Sequence, residues 1–293
     1  MNQGYIFSKE SKKEYLYYIA LLPLFIYGIY KNAYLLVENN YLQPVDGYKI
    51  ILFPIICGLI GLMLNLLVKK NKKELPIIGV ITGLCAPFNM SMYLYIGIAT
   101  IMLLIITFIP NKYRINEFAF LIVLLLIINH FNNNVLIFNP MELTNMYHFT
   151  LLDLFFGRGP SFLFTSSVFW IIIAYFVLTN VKTYKKSIFP VATAVFSLLS
   201  IIYMMVTKEY MNSIKLYLNG TTFFGFVFLA TINESSPSTN IETLIYSIFI
   251  AICSFVFVFI LKAHSGCIIA ILIASIIYRV YYLIRQKLFF QHR

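Results

Sequence analysis

Three runs in this chain, 92–110, 162–181 and 187–206, pass without a single charged side chain. Each is long enough to cross a hydrocarbon layer of ~30 Å as a helix of ~20 residues. In lipid every backbone N–H and C=O needs a partner inside the protein, which leaves helices and closed barrels as the spanning structures. Composition agrees with helices in lipid. The chain is 60% hydrophobic and 11% charged, with a mean hydropathy of +0.84; a soluble chain is nearer ~45–50% apolar and ~25% charged. Trp170 is the single tryptophan among 22 tyrosines, so tyrosine supplies most of the interfacial belt.

Apolar runs predict ten membrane segments, near 15–36, 48–68, 76–88, 92–110 and 117–131, then 162–181, 187–206, 220–232, 243–262 and 264–285. Alternating the sides tests the count. With the N-terminus inside, the inner set holds Lys9, Lys12, Lys13, Lys69, Lys70, Lys72, Lys73, Lys112, Arg114, Lys182, Lys185, Lys186, Arg285, Lys287 and Arg293. The outer set is Lys31, Lys49, Arg158, Lys208, Lys215 and Lys262, and Arg279 falls inside the last span. This is a clear positive-inside bias, with both termini in the cytoplasm of a cell that carries the chain in its plasma membrane. The divisions are a tail 1–14, a first repeat 15–131, an outer loop 132–161, a second repeat 162–286 and a tail 287–293. Five spans is an odd number, so the second half starts on the opposite side from the first, the arrangement of an inverted repeat.

Two segments are too short to cross. The stretch 222–232, opened by Asn219-Gly220 and closed by Asn233-Glu234-Ser235-Ser236-Pro237, covers about 17 Å. The stretch 76–91 is similar, closed by Pro87 and Asn89, with Gly83 in the place of Gly225. Paired interrupted segments in matching positions point to a site at the repeat interface. Gly83 and Gly225 are expected near its axis, where two backbones approach closely.

The net charge of +11 sits between apolar spans, so it reads as topology and lipid contact rather than nucleic-acid binding. Cys57, Cys85, Cys253 and Cys267 lie in or beside apolar runs without CxxC spacing and read as small buried hydrophobes. His130, His148, His264 and His292 have no ligand spacing, and no metal site is expected. No phosphate loop, nucleophile elbow or HExxH occurs. The basic N-terminus shows no cleavage site after a short apolar core, so no removable signal is expected.

Leu218-Asn219-Gly220-Thr221-Thr222, Gly225, Ala230-Thr231, Ser236-Pro237 and Thr239 resemble the pattern L-S-G-x-x-x-x-G-A-F-F-M-A-T-D-P-V-T-S-P-x-T of the RnfD/NqrB family. Gly157-Arg158-Gly159 with Thr165-Ser166 resembles the family's G-x-x-G-…-E-T-S lead into its sixth span. The basic loop 182–186 and Pro190 follow in order. Thr82-Gly83-Leu84 with Pro87, and Asn116-Glu117-Phe118-Ala119, resemble first-half motifs. The resemblance implies an all-α integral membrane fold like that of urea transporters, with two inverted five-helix repeats and broken half-helices. It implies a membrane subunit of an ion-translocating, flavin-dependent electron-transport complex, moving Na⁺ or H⁺. Its partners would be other membrane subunits, an extracytoplasmic flavin-carrying subunit and lipid.

The family links FMN to a threonine of the outer loop, and Thr150 stands at that place here. The usual Asp and Ser-Gly-Ala are missing before it, and Tyr147, His148 and Phe149 stand instead, so any flavin is expected to be held non-covalently. The resemblance places cofactor-binding positions at Gly157, Gly159, Thr165, Gly220, Thr222, Gly225 and Thr231, and an ion path along Gly83, Glu234 and Glu242. The family's Asp-Pro after Ala-Thr is Ile232-Asn233 here, and a later Gly is Glu242. Glu234 and Glu242 read as solvated inner-loop carboxylates, with ion coordination beside unwound backbone as the alternative, and Asp153 and Arg158 as an exposed pair at the outer mouth. Asn65, Asn116, Glu117 and Asn129 read as polar groups satisfying span ends, and Arg279 as a snorkelling or paired cation. A channel or transporter for a small polar solute on the same fold is the alternative function, since fold alone does not fix function.

Overall fold

The computed structural model describes residues 15–67, 75–86, 88, 91–108, 115–131, 149–159, 161–232, 236–237, 239–263 and 265–291. Among them there is no strand. Helix α1 (Tyr15–Glu38) is followed by α2 (Pro44–Leu67), α3 (Leu75–Leu84), α4 (Met92–Phe108) and α5 (Glu117–Phe131). Then come α6 (Leu151–Phe156), α7 (Val168–Leu178), α8 (Ile188–Thr207) and α9 (Tyr210–Tyr217). Helix α10 is Gly220–Phe224 continued by the π-helical turn Gly225–Leu229, and α11 (Asn240–Ile260) and α12 (Gly266–Gln291) close the bundle.

Five helices, α1, α2, α8, α11 and α12, are long and apolar enough to cross a membrane. They show large apolar side chains outward: Leu62, Met63 and Leu66 on α2, Leu198, Ile202 and Met205 on α8, Ile276 and Val280 on α12. A soluble protein does not leave such stripes in water; lipid is their solvent. The chain is thus a membrane protein that is helical throughout its described elements.

The helices begin and end where short side chains close the exposed backbone groups. Ser167 caps α7, accepting from Trp170 N–H, and Thr239 caps α11, accepting from Glu242 N–H. Asn116 caps α5, its Oδ1 accepting from Ala119 N–H at 3.0 Å. Pro44 opens α2 at a position that needs no N–H. Helix α1 contains a π-helical turn, Tyr30–Tyr34, which buries Lys31, Asn32 and Ala33; such turns frequently mark functional sites.

Three features depart from the sequence-based expectation. Residues 162–167 do not continue α7 backwards but run as a buried irregular strap. Helices α6 and α9 occupy stretches read as loop; both are short, and α9 exposes Tyr210 and Met211 while burying only Ser213. Lys31, counted among outer-loop charges, is 5% exposed.

The tightest joint is the α2–α3 hairpin. A Cβ on Gly61 would stand 2.3 Å from the Leu75 carbonyl oxygen, one on Gly79 2.2 Å from the Cys57 carbonyl oxygen, and one on Gly83 2.4 Å from Pro54 Cα. Only hydrogen at these positions lets the two backbones touch.

Candidate functional site

The short helices α3 and α10 meet through the strap 161–167. The strap's Phe164 N–H donates to the Leu84 carbonyl and its Leu163 N–H to the Ala86 carbonyl, each at 3.2 Å. These carbonyls end α3 and would otherwise be open inside the bundle. Tyr95 OH on α4 donates to a third, that of Thr82. One residue later the strap reaches the start of α10: the Thr165 and Thr221 hydroxyls are 3.2 Å apart. A Cβ on Gly220 would lie 2.1 Å from the Ser166 carbonyl oxygen, so α10 begins in direct backbone contact with the strap.

Helix α1 also holds the strap. Lys31 Nζ donates to the Gly159 carbonyl at 3.1 Å and to Ser161 Oγ at 3.4 Å, and Asn32 Nδ2 donates to the Leu163 carbonyl. Phe164 packs its ring over Gly28 and against Phe25, with ring centroids 5.5 Å apart. Upstream, Gly157 ends α6 at φ 106°, a left-handed conformation that favours glycine, and sits against Ser167.

At the start of α10 hydroxyls gather. Asn219 caps it, accepting from Thr221 N–H at 3.0 Å. Thr165, Ser166, Ser167, Thr221 and Thr222 are all buried, and Ser166 Oγ and Thr222 Oγ1 have no hydrogen-bond partner. A buried hydroxyl without a partner costs about 1–3 kcal/mol, so this polar corner is suited to a polar guest. The far end of α10 is closed by protein donors. Asn116 Nδ2 donates to the Leu229 carbonyl at 2.7 Å; Tyr184 OH at 3.0 Å and Thr231 Oγ1 at 2.7 Å both donate to Val227. Lys185 Nζ donates to the Ser236 carbonyl and hydroxyl, and Ser236 Oγ donates to the Ile232 carbonyl at 2.6 Å. Burial, with Arg279 nearby, lowers the Lys185 ammonium to about 7.

The expected site residues thus divide. Gly159, Thr165, Gly220 and Thr222 come together at the strap and the start of α10, while Thr231 lies at its other end. Gly83 and Gly225 do not face each other. Gly83 lies against Phe53 and Pro54 on α2, and Gly225 against Cys267 and Ile271 on α12, because each half-helix packs on a full helix of its own half. Glu242 stands in the first turn of α11 and accepts from Arg285 NH1 at 2.7 Å. Glu234 lies outside the described residues.

Thr150 caps α6 through a reciprocal box. Asp153 N–H donates to Thr150 Oγ1 at 3.2 Å, and Thr150 N–H and Oγ1 donate to Asp153 Oδ2 at 3.1 and 2.8 Å. These bonds, then the guanidinium of Arg158 at 3.0 Å, hold the Asp153 carboxyl below its ordinary range.

Lys31, Asn32, Tyr95 and Lys185 escaped the sequence reading. Lysines next to apolar runs look like topology charges, and nothing local says that a carbonyl waits for them. Asn116 was read as closing a span end; it does so and also reaches the other half of the chain.

Among the described residues no group of His, Cys, Asp or Glu could hold a metal ion. No curated protein matches the chain. A model of the NQR2, RnfD, RnfE family matches residues 125–289, more than half of the chain, and takes in the strap, α10 and the whole second half. The hydroxyl corner, the capped half-helix and the strap therefore sit in a member of the NQR2, RnfD, RnfE family, that of the membrane subunits of Rnf- and Nqr-type complexes.

Proposed function

We propose that this chain is the RnfD/NqrB-like subunit of a flavin-dependent electron-transport complex. In this reading it crosses the membrane as ten segments in two inverted repeats, folded like a urea transporter, with both termini in the cytoplasm. Sodium ions or protons pass between the halves. The carrying observation is the strap. One short segment closes the carbonyl end of α3 and touches the first turn of α10, so events at the outer loop bear on both half-helices.

Thr150 does not fit covalently attached FMN. A phosphoester on its Oγ would remove the hydrogen bond to Asp153 and set a phosphate against that carboxylate. We therefore place any flavin non-covalently, against aromatic side chains and the outer loop, and the partners are membrane subunits and an extracytoplasmic flavin-carrying subunit. The ion path runs by Gly83 on α3 and Glu242 in the first turn of α11, with Glu234 outside the described residues, and Gly225 and Thr231, on or just after α10, belong with the cofactor positions.

The test is purification in mild detergent from membranes of the source cells. Other membrane subunits should come with the chain, and heat should release flavin from the preparation with no fluorescent band on a denaturing gel. A band lost in Thr150→Ala would overturn the non-covalent placement. A chain that purifies alone, without flavin, and passes a small polar solute in liposomes would instead be a channel. That second reading draws on the neutral, unpartnered hydroxyls of Ser166 and Thr222, which suit a hydrogen-bonding solute.

A further inference from the structure

The buried face of α11 is largely polar: Thr243, Tyr246, Ser247 and Ser254 lie on it. A serine or threonine hydroxyl on a helix ordinarily folds back on a carbonyl one turn earlier. Thr243 Oγ1 does so with Thr239 and Ser247 Oγ with Thr243, each at 2.7 Å. Ser275 Oγ on α12 likewise donates to the Leu272 carbonyl at 2.8 Å. Ser254 departs from this habit. Among the described residues neither its hydroxyl nor that of Tyr246 has a hydrogen-bond partner. Thr222 Oγ1, in the first turn of α10, has none either.

These hydroxyls gather round one side chain. Cys267 on α12 donates from its Sγ to the Thr222 carbonyl at 3.4 Å. The Ser254 hydroxyl stands against that sulfur without the geometry of a hydrogen bond, and Tyr246 lies within its electrostatic reach. Gly225 leaves the space that the sulfur takes, for a Cβ there would lie 2.7 Å from Sγ. Two helices also loosen beside the cluster. The π-helical turn Gly225–Leu229 of α10 begins just after Thr222, and another, Val256–Ile260 of α11, just after Ser254. Such turns frequently mark functional sites.

A buried hydroxyl left dry costs free energy that an apolar side chain of the same shape would not. Polar groups in that state are where proteins hold internal water, each molecule making about three hydrogen bonds to them. The hydroxyls are neutral, and water offers both the donor and the acceptor that they need. We propose that α10, α11 and α12 enclose a bound-water site at Thr222, Ser254 and Tyr246, with the Cys267 thiol at its edge. Water there serves a helix that moves. A protein donor would hold α10 in one place, whereas a water molecule re-forms its bonds as the helix shifts. The site lies within the second half and needs neither a flavin nor the passage of ions; failure of those readings leaves it standing.

The experiment is X-ray radiolytic footprinting of the full chain in mild detergent, read by peptide mass. Radiolysis turns bound water into hydroxyl radical, which oxidises the side chains beside it even where bulk solvent does not reach. The chain carries its own controls. Cys57 and Cys85 are as buried as Cys267, and Tyr95 is as buried as Tyr246 but spends its hydroxyl on the Thr82 carbonyl. Cys267 and Tyr246 should be oxidised at least about fivefold faster than these controls, thiol against thiol and phenol against phenol, because water is held beside them. Equal rates would overturn the proposal. Tyr246→Phe keeps the ring and removes one of the water's anchors, so the Cys267 rate should fall at least about twofold. An unchanged Cys267 rate in the folded variant overturns the assignment to these hydroxyls. Should the variant not fold, the wild-type rates decide alone.

Discussion

The two short helices hold their places by opposite means. Helix α3 is laid backbone to backbone on α2, with Gly61, Gly79 and Gly83 as the contact points. Helix α10 is surrounded by rings. Phe224 and Phe228 stack at 4.7 Å, Phe226 meets Phe196 at 5.8 Å, and Phe223 meets Tyr217 at 5.7 Å. It too begins on backbone, Gly220 against the Ser166 carbonyl, but further along, at Gly225, the nearest neighbours are the ends of side chains, Cys267 Sγ at 2.7 Å and Ile271 Cδ1 at 3.1 Å. A backbone contact has no degree of freedom left, whereas side chains can turn and repack. The first half-helix is thus fixed along its length, whereas the second is pinned at its start and able to shift from Gly225 onward. Its π-helical turn, which widens the helix and changes its register, points the same way.

The comparison breaks first at Gly79. Gly79→Ala puts a methyl on the Cys57 carbonyl, which no rotamer change relieves. It should destabilise the protein by more than about 3 kcal/mol, seen as loss of a monodisperse peak in detergent, and trimming neighbouring side chains should not restore it. Next is Asn116→Ala. It leaves the buried Leu229 carbonyl open and removes the cap of α5, for about 2 kcal/mol in thermal unfolding. Gly225→Ala should cost about 1 kcal/mol, and Cys267→Ala in the same chain should recover most of it, since the 2.7 Å contact goes and only the flexible end of Ile271 at 3.1 Å and Cys267 Cβ at 3.8 Å would remain. Failure of this rescue would mean that α10 is as rigidly seated as α3. The smallest effect is at the cap of α6. Because Asp153 is held below its ordinary range, its stabilisation of the α6 cap is full above the ordinary carboxylate value. It is lost as the pH falls through the lowered one. Amide exchange at Asp153 and Leu154 should accelerate below about pH 4, with no change at α10.

The five long spans, α1, α2, α8, α11 and α12, and both short helices are legible because lipid enforces long apolar runs and because Pro and Gly punctuate them. The Gly157–Ser166 block was legible as a motif, not as a shape. Phe162, Leu163 and Phe164 look like the first turn of a span; in the structure they are buried between α1, α3 and α10, and the backbone they leave unpaired is spent on α3's carbonyls. An apolar side chain that faces protein looks the same in sequence as one that faces lipid. Lys31 and Lys185 were legible only as charges. That they end on carbonyls depends on partners far along the chain, and no local pattern encodes that. Gly83 packs on backbone and Gly225 on side chains, each within its own half; sequence gives no direction for a missing side chain.

The strap also carries a consequence for biogenesis. The donors that close the Leu84 and Ala86 carbonyls belong to residues 163 and 164, made by the ribosome long after α3. Until they emerge, the first half sits in the bilayer with the end of α3 unsealed. A chain released after α5 should therefore be held by insertion chaperones or degraded, and co-expression of a second fragment that begins before the strap should rescue it where one beginning at α7 does not.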